Sequence, residues 1–269
     1  MIYQNPRPTK GSLPLIYPKG YDQYISYKNN GISYFFHQYG LRKRYKIILR
    51  YKNHGNLLDI GCATGDFIEY LSKVPGWSCT GIEPSEHAIK KSHVKHLIYQ
   101  GDLEYFCQLF PQQQFDVVTL WNVIEHVHSP TRELSLIFNL LKDDGILVIT
   151  TPNVNSTIAR IFGKYWIGYE LPRHLFVFSE QTIKNLLEKT GYKITKCSSI
   201  YGEHAAFMSS LRFFIRYITN KRPNLNVLYS LPIRIALAPI FYILTIRNKG
   251  SGLTIVAQKQ SWQQTSLGG

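Results

Sequence analysis

The chain has 269 residues, 44% of them hydrophobic, which is enough for one domain with an appendage to bury a full core. Its four cysteines have no C-x-x-C spacing, so neither a zinc site nor a disulfide framework is indicated. The first residues contain no apolar stretch long enough for a signal peptide. Both observations favour a protein of a reducing cytoplasm.

The net charge of +14 is distributed unevenly along the chain. Residues 1–50 carry a net of +8, residues 51–154 a net of −5, and residues 155–269 a net of +11. Basic flanks of this size are typical of contact with an anionic partner, although plain solubility is the simpler interpretation.

The N-terminal fifty residues combine aromatic side chains with a basic run over residues 42–46. The aromatic residues are Tyr17, Tyr21, Tyr24, Tyr27, Tyr34, Phe35, Phe36 and Tyr39. Aromatic residues interleaved with basic ones can stack the bases of single-stranded RNA. Because no nucleic-acid module or internal repeat accompanies them, RNA binding is the minor interpretation.

Residues 57–67 predict a short buried strand that runs into a glycine-bracketed turn and then into a helix. Gly61 and Gly65 allow backbone N–H groups to approach a ligand at the helix N-terminus. No lysine follows Gly65, which excludes a phosphate-binding P-loop, and Ala63 stands where a dinucleotide fingerprint has its second glycine. With Asp59 two residues before Gly61, the turn suits a ligand with a positive or neutral tail.

Three more strands follow in the order expected of an open α/β sheet. The second strand ends at Glu83, whose carboxylate can accept bonds from both hydroxyls of a ribose. The third strand is followed by Asp102, and the fourth covers residues 115–121. Because ligands bind at the carboxyl ends of parallel strands in such sheets, these acids indicate a ligand site there.

These motifs resemble those of the class I S-adenosylmethionine-dependent methyltransferases, over residues 56–191 and the last strand. The resemblance implies a Rossmann-like α/β fold, with seven mostly parallel strands in the order 3-2-1-4-5-7-6 flanked by helices. It implies S-adenosyl-L-methionine as the cofactor, with Glu83 on the ribose and Asp102 on the adenine amino group. The residues that match the cofactor site are Asp59, Gly61, Cys62, Thr64, Gly65, Glu83, Pro84, Asp102, Leu103, Trp121 and Asn122.

The resemblance also divides the chain into segments. Residues 1–50 are expected to form a helical lid over the cofactor, and residues 51–202 the cofactor-binding core. Residues 203–249 are a helical insertion between strands six and seven. Residues 250–260 contain the last strand, antiparallel between strands five and six, and residues 261–269 form a tail.

Local signals predict the elements after the fourth strand. Residues 145–152 read as strand five, residues 155–162 as a short helix, and residues 192–200 as strand six. Ser179 is a suitable N-cap for a helix over residues 180–189.

Residues 163–179 resemble a sub-branch that includes ubiquinone-type, sugar and lipid methyltransferases. A hydroxyl acceptor benefits from a general base, and the candidates are His126 and Glu125 after strand four and His174 from the facing segment. In ubiquinone-type enzymes the first loop carries two carboxylates and a histidine associated with a divalent metal. Asn122 stands in place of the first carboxylate, so no metal is expected here.

In the insertion, apolar residues recur at helical spacing from Phe207 to Ile218, beside Arg212 and Arg216. A second apolar stretch, over residues 225–246, contains an arginine and two prolines, which argues against a membrane-spanning helix. One interpretation is a basic amphipathic helix in the lipid headgroup layer, and the alternative is a cap on the substrate mouth or a dimer surface.

These features predict S-adenosylmethionine-dependent methyl transfer to an oxygen of a small-molecule, lipid-linked, quinone-like or sugar-containing acceptor. We expect the acceptor at an anionic membrane surface, with the protein cytoplasmic and peripheral at the membrane. The alternatives are an RNA methyltransferase, favoured by the charge, and a binding protein that keeps the cofactor without turnover.

Overall fold

The computed structural model describes residues 1–9, 11, 16, 31–199, 203–220, 230–247 and 249–260. Its sheet strands are β1 (Gly55–Ile60), β2 (Trp77–Glu83), β3 (Ile98–Gln100), β4 (Phe115–Trp121), β5 (Leu141–Pro152), β6 (Tyr192–Ser198) and β7 (Gly252–Lys259). Its helices are α1 (Ile32–Ile48), α2 (Asp66–Ser72), α3 (Glu86–Lys90), α4 (Leu103–Leu109), α5 (Pro130–Leu140), α6 (Thr157–Phe162), α7 (Glu180–Lys189), α8 (Glu203–Thr219) and α9 (Leu231–Ile246).

The seven strands form one sheet in the order β3-β2-β1-β4-β5-β7-β6. Strands β1 to β5 pair in parallel, and β7 pairs antiparallel with both β5 and β6. The predicted Rossmann-like fold and its strand order are therefore confirmed. Because β1 to β5 run in the same direction, their carboxyl ends meet at a single edge of the sheet, which we call the ligand edge.

The core lies on both faces of the sheet because the central strands place apolar side chains on both sides. Leu58 and Val118 join the cluster on one face, whereas their neighbours Leu57 and Val117 join the cluster on the other. All four side chains are fully buried. A parallel strand covered on both faces needs no polar alternation, so the ligand edge rests on a closely packed support.

Side-chain caps determine where the helices near the ligand edge begin. Helix α6 begins at Thr157, two residues later than predicted, because the Ser156 hydroxyl accepts a hydrogen bond from the Ala159 N–H at 3.0 Å. Helix α7 has the predicted bounds. Its N-cap Ser179 and Thr182 form a reciprocal capping box.

The strand bounds also differ slightly from the prediction. Strand β5 begins at Leu141, four residues early, because Leu141 already pairs with Phe115 of β4. Strand β6 ends at Ser198. Its predicted last residue, residue 200, lies outside the described residues.

The N-terminal segment is only partly helical. Residues Ile2–Tyr3 are extended and pair antiparallel with Phe176–Val177, so the helical assignment is wrong at this end of the expected lid. Helix α1 buries Leu41, Ile47 and Ile48 in the core. Four of the aromatic residues expected in the lid lie outside the described residues, and the lid itself stays a prediction.

The insertion between β6 and β7 contains the two helices α8 and α9. Phe207 and Phe214 of α8 and Phe241 of α9 pack in a cluster with α6. Glu203, at the start of α8, accepts hydrogen bonds from the backbone N–H and the hydroxyl of Ser251, at 2.5 and 3.1 Å. The insertion is thereby tied to the beginning of β7. Within the described residues, every helix is too short or too polar to cross a bilayer.

Candidate active site

The turn between β1 and α2 has a left-handed backbone. Gly61, Ala63 and Gly65 have φ angles of +67°, +51° and +76°. A Cβ at Gly65 would lie 2.9 Å from the Ile98 Cδ1, so only glycine fits there. The Gly61 N–H donates to the Ile82 carbonyl at 2.8 Å, which fastens the turn to β2 at the ligand edge.

The acid of β1 is fully enclosed. Asp59 accepts a hydrogen bond from the Thr119 hydroxyl at 2.6 Å, and burial raises the pKa of its carboxyl to about 7. Asp59 therefore links the first and fourth strands directly beneath the turn.

The acids after β2 and β3 hold backbone groups in place. Glu83 accepts hydrogen bonds from the N–H groups of Ala63 at 2.9 Å and Ser85 at 2.8 Å. Burial raises the pKa of Glu83, and these two bonds limit the rise. Asp102 accepts a bond from the Tyr105 N–H at 2.9 Å as the N-cap of α4. A carboxylate oxygen can accept a second bond, so both acids retain capacity for a ligand.

The remaining predicted residues around the turn have varied surroundings. The Thr64 hydroxyl donates to Asp66 at 2.8 Å. Cys62 is buried, and burial raises the pKa of its thiol. Pro84 is exposed, whereas Leu103 lies in the core. A ligand contact at Leu103 would therefore use its backbone.

Helix α1 covers the turn and the end of β4. The His37 Nε2 lies 2.9 Å from the Asp66 carboxylate. Although burial opposes it, the hydrogen bonds from His37 and Thr64 lower the pKa of Asp66. The Arg44 guanidinium lies 5.0 Å from the centroid of the Trp121 ring, close enough for a cation–π contact.

A cavity of about 430 Å³ lies beside the turn. It is lined by α1, the ends of β4 and β5, the segment 166–174 and the start of β7. Among the residues that the structure describes, the lining includes all three predicted catalytic residues. Of the predicted cofactor residues, it includes only Trp121 and Asn122. The other predicted cofactor residues lie outside this lining. Its larger apolar lining residues include Phe36, Leu41, Trp121, Trp166 and Ile167.

Asn122 occupies the corner between β4 and the loop that follows. Its φ is +56°, a conformation that asparagine tolerates better than most residues. Its N–H lies 3.0 Å from the Thr150 hydroxyl oxygen, and that hydroxyl donates to the Asn122 amide oxygen at 3.2 Å. This pair turns the chain so that the next residues reach the cavity.

Glu125 is the most unusual group in the cavity wall. Its side chain is fully buried, and neither carboxylate oxygen has a hydrogen-bond partner of good geometry among the described residues. Burial raises the pKa of Glu125 to about 7, and the His174 imidazole and the Thr151 hydroxyl limit the rise. Its backbone carbonyl accepts bonds from Leu175 and Phe176, at 2.8 and 3.1 Å, which hold the facing segment against this loop.

The two predicted histidines are in contact but differ in protonation. Their ring centroids lie 4.7 Å apart. The His126 Nδ1 donates to the Arg173 carbonyl at 3.1 Å. Burial and the neighbouring His174 lower the pKa of His126 to about 4, so the ring is neutral and Nε2 carries a lone pair.

His174 lies between two acceptors. Its Nδ1 donates to the Gly168 carbonyl at 2.7 Å, and its Nε2 lies 3.3 Å from the Glu170 carboxylate. Although burial opposes the charge, the bond to Glu170 and the nearby Glu125 raise the pKa of His174. Both of its ring nitrogens therefore face acceptors, which favours the protonated ring.

A zinc ion does not fit this arrangement. Glu125, His126 and His174 each offer an atom within 4.8 Å of the others, a spacing that could surround one ion. A ligand atom needs a lone pair, and both nitrogens of His174 face acceptors. The Asn122 amide oxygen accepts from Thr150. One carboxylate and one imidazole remain, which is fewer than the three protein ligands of a catalytic zinc site.

Sequence reasoning missed Glu170. This residue has a φ of +28° and lines the cavity, where it accepts a bond from the Arg173 guanidinium at 2.8 Å and faces His174. Its position four residues before His174 was the available signal. Side chains four residues apart meet only where the backbone forms a turn, as it does between Glu170 and His174.

Comparison with known families gives one clear match. The family model described as "Methyltransferase domain" matches residues 35–196. A ubiquinone biosynthesis O-methyltransferase of Glaesserella parasuis serovar 5 is 30% identical over 162 residues, which is 55% of this chain and 68% of that protein. A protein of the same name from Bradyrhizobium diazoefficiens is 32% identical over 143 residues, which is 49% of this chain and 56% of that protein.

Solved structures share the fold. A SAM-dependent methyltransferase from Archaeoglobus fulgidus superposes with a TM-score of 0.54 at 23% identity, covering 84% of this chain and 99% of that one. Magnesium protoporphyrin IX methyltransferase from Synechocystis PCC 6803, solved with bound SAH, gives a TM-score of 0.55 at 14% identity, covering 90% of this chain and 93% of that one. At these identities the likeness concerns the fold alone.

Proposed function

Because this chain belongs to the methyltransferase-domain family and is a class I S-adenosylmethionine-dependent methyltransferase, we propose that it methylates an oxygen of a small acceptor. We favour a quinone-like or lipid-linked acceptor. A sugar-containing molecule is the third candidate. The observation that carries the proposal is the buried Glu125 carboxylate, without a partner of good geometry, in the wall of the cavity.

The residues of the ligand edge fit S-adenosylmethionine. Glu83 and Asp102 follow neighbouring strands and retain accepting capacity, which suits a ribose diol and an adenine amino group. The glycine turn lies between them and the cavity. When bound, the cofactor supplies a methyl group already activated by its sulfonium, so the protein has to align the acceptor and exclude water.

We assign removal of the acceptor proton to Glu125. A hydroxyl becomes a better nucleophile as it loses its proton, and a base with a pKa near the working pH is most effective. The pKa of Glu125, raised by burial to about 7, meets this condition. Its carboxylate has no competing hydrogen bond of good geometry within the described chain, so a hydroxyl in the cavity can donate to it.

The two histidines support this assignment in different ways. His126 is neutral with a lone pair on Nε2, so it can accept a bond from an acceptor hydroxyl and help to orient it. The raised pKa of His174 favours its protonated form, which in turn favours the ionised form of the nearby Glu125. His174, which the sequence offered as a candidate base, therefore acts through its electrostatic effect on Glu125.

The cavity wall favours an aromatic or isoprenoid acceptor. Trp121 and Trp166 present apolar ring surface, and their buried indole N–H groups have no hydrogen-bond partner among the described residues. Such a wall can hold a ring and donate to its oxygen substituents. The relatives named ubiquinone biosynthesis O-methyltransferases support the same class. An acceptor of this kind resides in a membrane, so we place the protein in the cytoplasm, peripheral at that surface.

Transfer of an isotopically labelled methyl group tests this proposal. The purified protein is incubated with methyl-labelled S-adenosylmethionine and, separately, a prenylated ortho-dihydroxyphenol, an isoprenoid-linked sugar and a structured RNA. Mass spectrometry then locates the label. We expect a methyl ether on the dihydroxyphenol, and none from the Glu125→Gln variant above a small residual level.

The other outcomes identify the competing functions. Label on a ring carbon would contradict O-methylation. Label in the RNA would favour the RNA methyltransferase. Tight cofactor binding without transfer to any acceptor in a broad panel would favour a binding protein.

A further inference from the structure

Helix α9 has two faces of similar hydropathy but different surroundings. Ile233, Leu237, Phe241 and Leu244 follow one stripe and are half-buried against the rest of the protein. The residues Ile235, Pro239, Tyr242 and Ile243 follow the opposite stripe and are exposed. Water-exposed apolar stripes of this length are uncommon on soluble domains and usually mark a contact surface.

Helix α8, which packs against α9 through Phe207 and Phe241, also exposes aromatic and cationic residues. Phe213 and Tyr217, one turn apart, are 55% and 64% exposed, and Arg216 between them is exposed. The Lys164 ammonium lies 5.1 and 5.0 Å from the ring centroids of Tyr165 and Tyr217. Tyrosines with a cation among them are typical of residues at the level of lipid headgroups.

The insertion carries a strong net positive charge. Residues 203–249 contain seven Lys/Arg residues and a single acid, a net of +6. The acid is Glu203, which is buried against Ser251 and cannot meet an outside cation. The partner of this surface must therefore be anionic as well as apolar.

We propose that the exposed face of α8 and α9 docks on an anionic lipid bilayer, with α9 lying in the headgroup layer. This face is defined by Phe213, Tyr217, Ile235, Tyr242 and Ile243 with the cations Lys164, Arg216 and Arg247. None of these residues is in the described cavity lining. Helix α9 has 16 residues, too few to span a bilayer but enough to lie along its surface.

A second copy of the chain is a poorer occupant for the same face. Pairing two copies through it would bring two segments of net +6 together without an exposed acid from the described part of either segment. Like charges at close range repel, whereas anionic lipid attracts the same cations and also accepts the apolar side chains.

Co-sedimentation with vesicles tests the docking. The full chain is mixed with vesicles of phosphatidylglycerol and phosphatidylcholine, and with pure phosphatidylcholine as the neutral comparison. We expect binding to the anionic vesicles that weakens with added salt but persists, because salt screens the charges and not the apolar burial.

Paired variants separate the face from the rest of the surface. Ile235→Ser with Ile243→Ser should lower vesicle binding about tenfold, because both side chains lose their apolar burial. The matched control is Leu49→Ser with Leu109→Ser, which removes two aliphatic side chains that are 45% and 48% exposed elsewhere. Isoleucine and serine have similar helix propensities, so α9 should keep its structure. Melting temperature and cofactor affinity check that each variant is folded.

A second pair tests the charge. Arg216→Gln with Arg247→Gln should lower binding roughly twentyfold at low salt, since each cation near the surface contributes about fivefold. Lys189→Gln with Lys193→Gln removes the same net charge from exposed positions on α7 and β6 and should leave binding nearly unchanged.

Two results would overturn the docking proposal. One is failure of the folded protein to bind anionic vesicles at low salt; a dimer in light scattering that Ile235→Ser with Ile243→Ser dissociates would then assign the face to a second copy. The other is equal loss of binding in the face variants and their controls. Turnover of a soluble acceptor without vesicles reports on methyl transfer separately, so failure of one proposal does not imply failure of the other.

Discussion

The two halves of the ligand edge differ in how their buried polar groups are satisfied. In the cofactor half, formed by the ends of β1 to β3, Glu83 and Asp102 accept backbone N–H groups. In the acceptor half, the cavity wall from Trp121 to His126 and from Trp166 to His174, the Glu125 carboxylate and two indole N–H groups lack partners of good geometry among the described residues.

Buried polar groups are normally hydrogen-bonded, so this difference is informative. In the cofactor half, the fold itself supplies partners to Glu83 and Asp102. We infer that the acceptor completes the other half. The predictions below test whether binding and proton removal are divided between the halves in this way.

The largest effect is expected from Glu125→Gln. The amide keeps the shape of the side chain but does not take up a proton, so kcat should fall about 10²- to 10⁴-fold while cofactor affinity stays within twofold. Steady-state kinetics and calorimetry measure the two quantities. Glu188→Gln, at an exposed position of α7, is the control. A wild-type rate in Glu125→Gln would contradict the proposal that binding and proton removal are divided between the two halves.

The converse effect is expected from Glu83→Ala. Loss of its carboxylate should weaken S-adenosylmethionine binding by roughly 1–3 kcal/mol, the cost of an unmet charged hydrogen-bond site. Turnover at saturating cofactor should change little, because Glu83 lies outside the cavity lining. Calorimetry decides, with Glu86→Ala, an exposed acid on α3, as the control. Unchanged affinity in a folded variant would contradict the ribose assignment.

A smaller effect is expected from His174→Gln. The rate should rise with pH as Glu125 ionises, around its pKa of about 7. Removing the nearby cation raises the pKa of that carboxyl further, so the rise should move to higher pH by roughly one unit. A pH–rate profile measures the shift, and His128→Gln in the same loop serves as the control. A shift to lower pH would show that His174 does not act through its charge.

Chelation should have no effect. In the cluster of Glu125, His126 and His174, both nitrogens of His174 face acceptors and Asn122 replaces a carboxylate, so we expect no resident metal. Turnover after dialysis against a chelator should therefore equal that of the untreated protein. Loss of activity that magnesium or manganese restores would show that His174 rotates to release a lone pair.

The fold was predictable because its signals are local and redundant. The apolar run of β1, the glycine turn and the acids after β2 and β3 each restrict the same topology. Errors occurred where tertiary pairing or a cap decides a boundary, as at Leu141, which pairs with Phe115, and at Ser156, which caps α6.

The acceptor half was less predictable than the cofactor half. Glu125, His126 and His174 were identified, but their protonation depends on burial and on Glu170, which lies beside His174 because the chain turns between them. Arg44 lies among similar basic residues, so nothing in the sequence distinguishes its contact with Trp121. The apolar stretch over residues 225–246 likewise does not show which face of α9 the protein covers.

The most direct test of the account is the pH dependence of the single-turnover rate in the wild type and in Glu125→Gln, with cofactor and acceptor saturating. If Glu125 removes the acceptor proton, the wild-type rate rises with a midpoint at about pH 7 and the variant is slow at every pH without that rise. If the variant keeps the same rise with the same midpoint, another group takes the proton and the assignment of Glu125 is wrong.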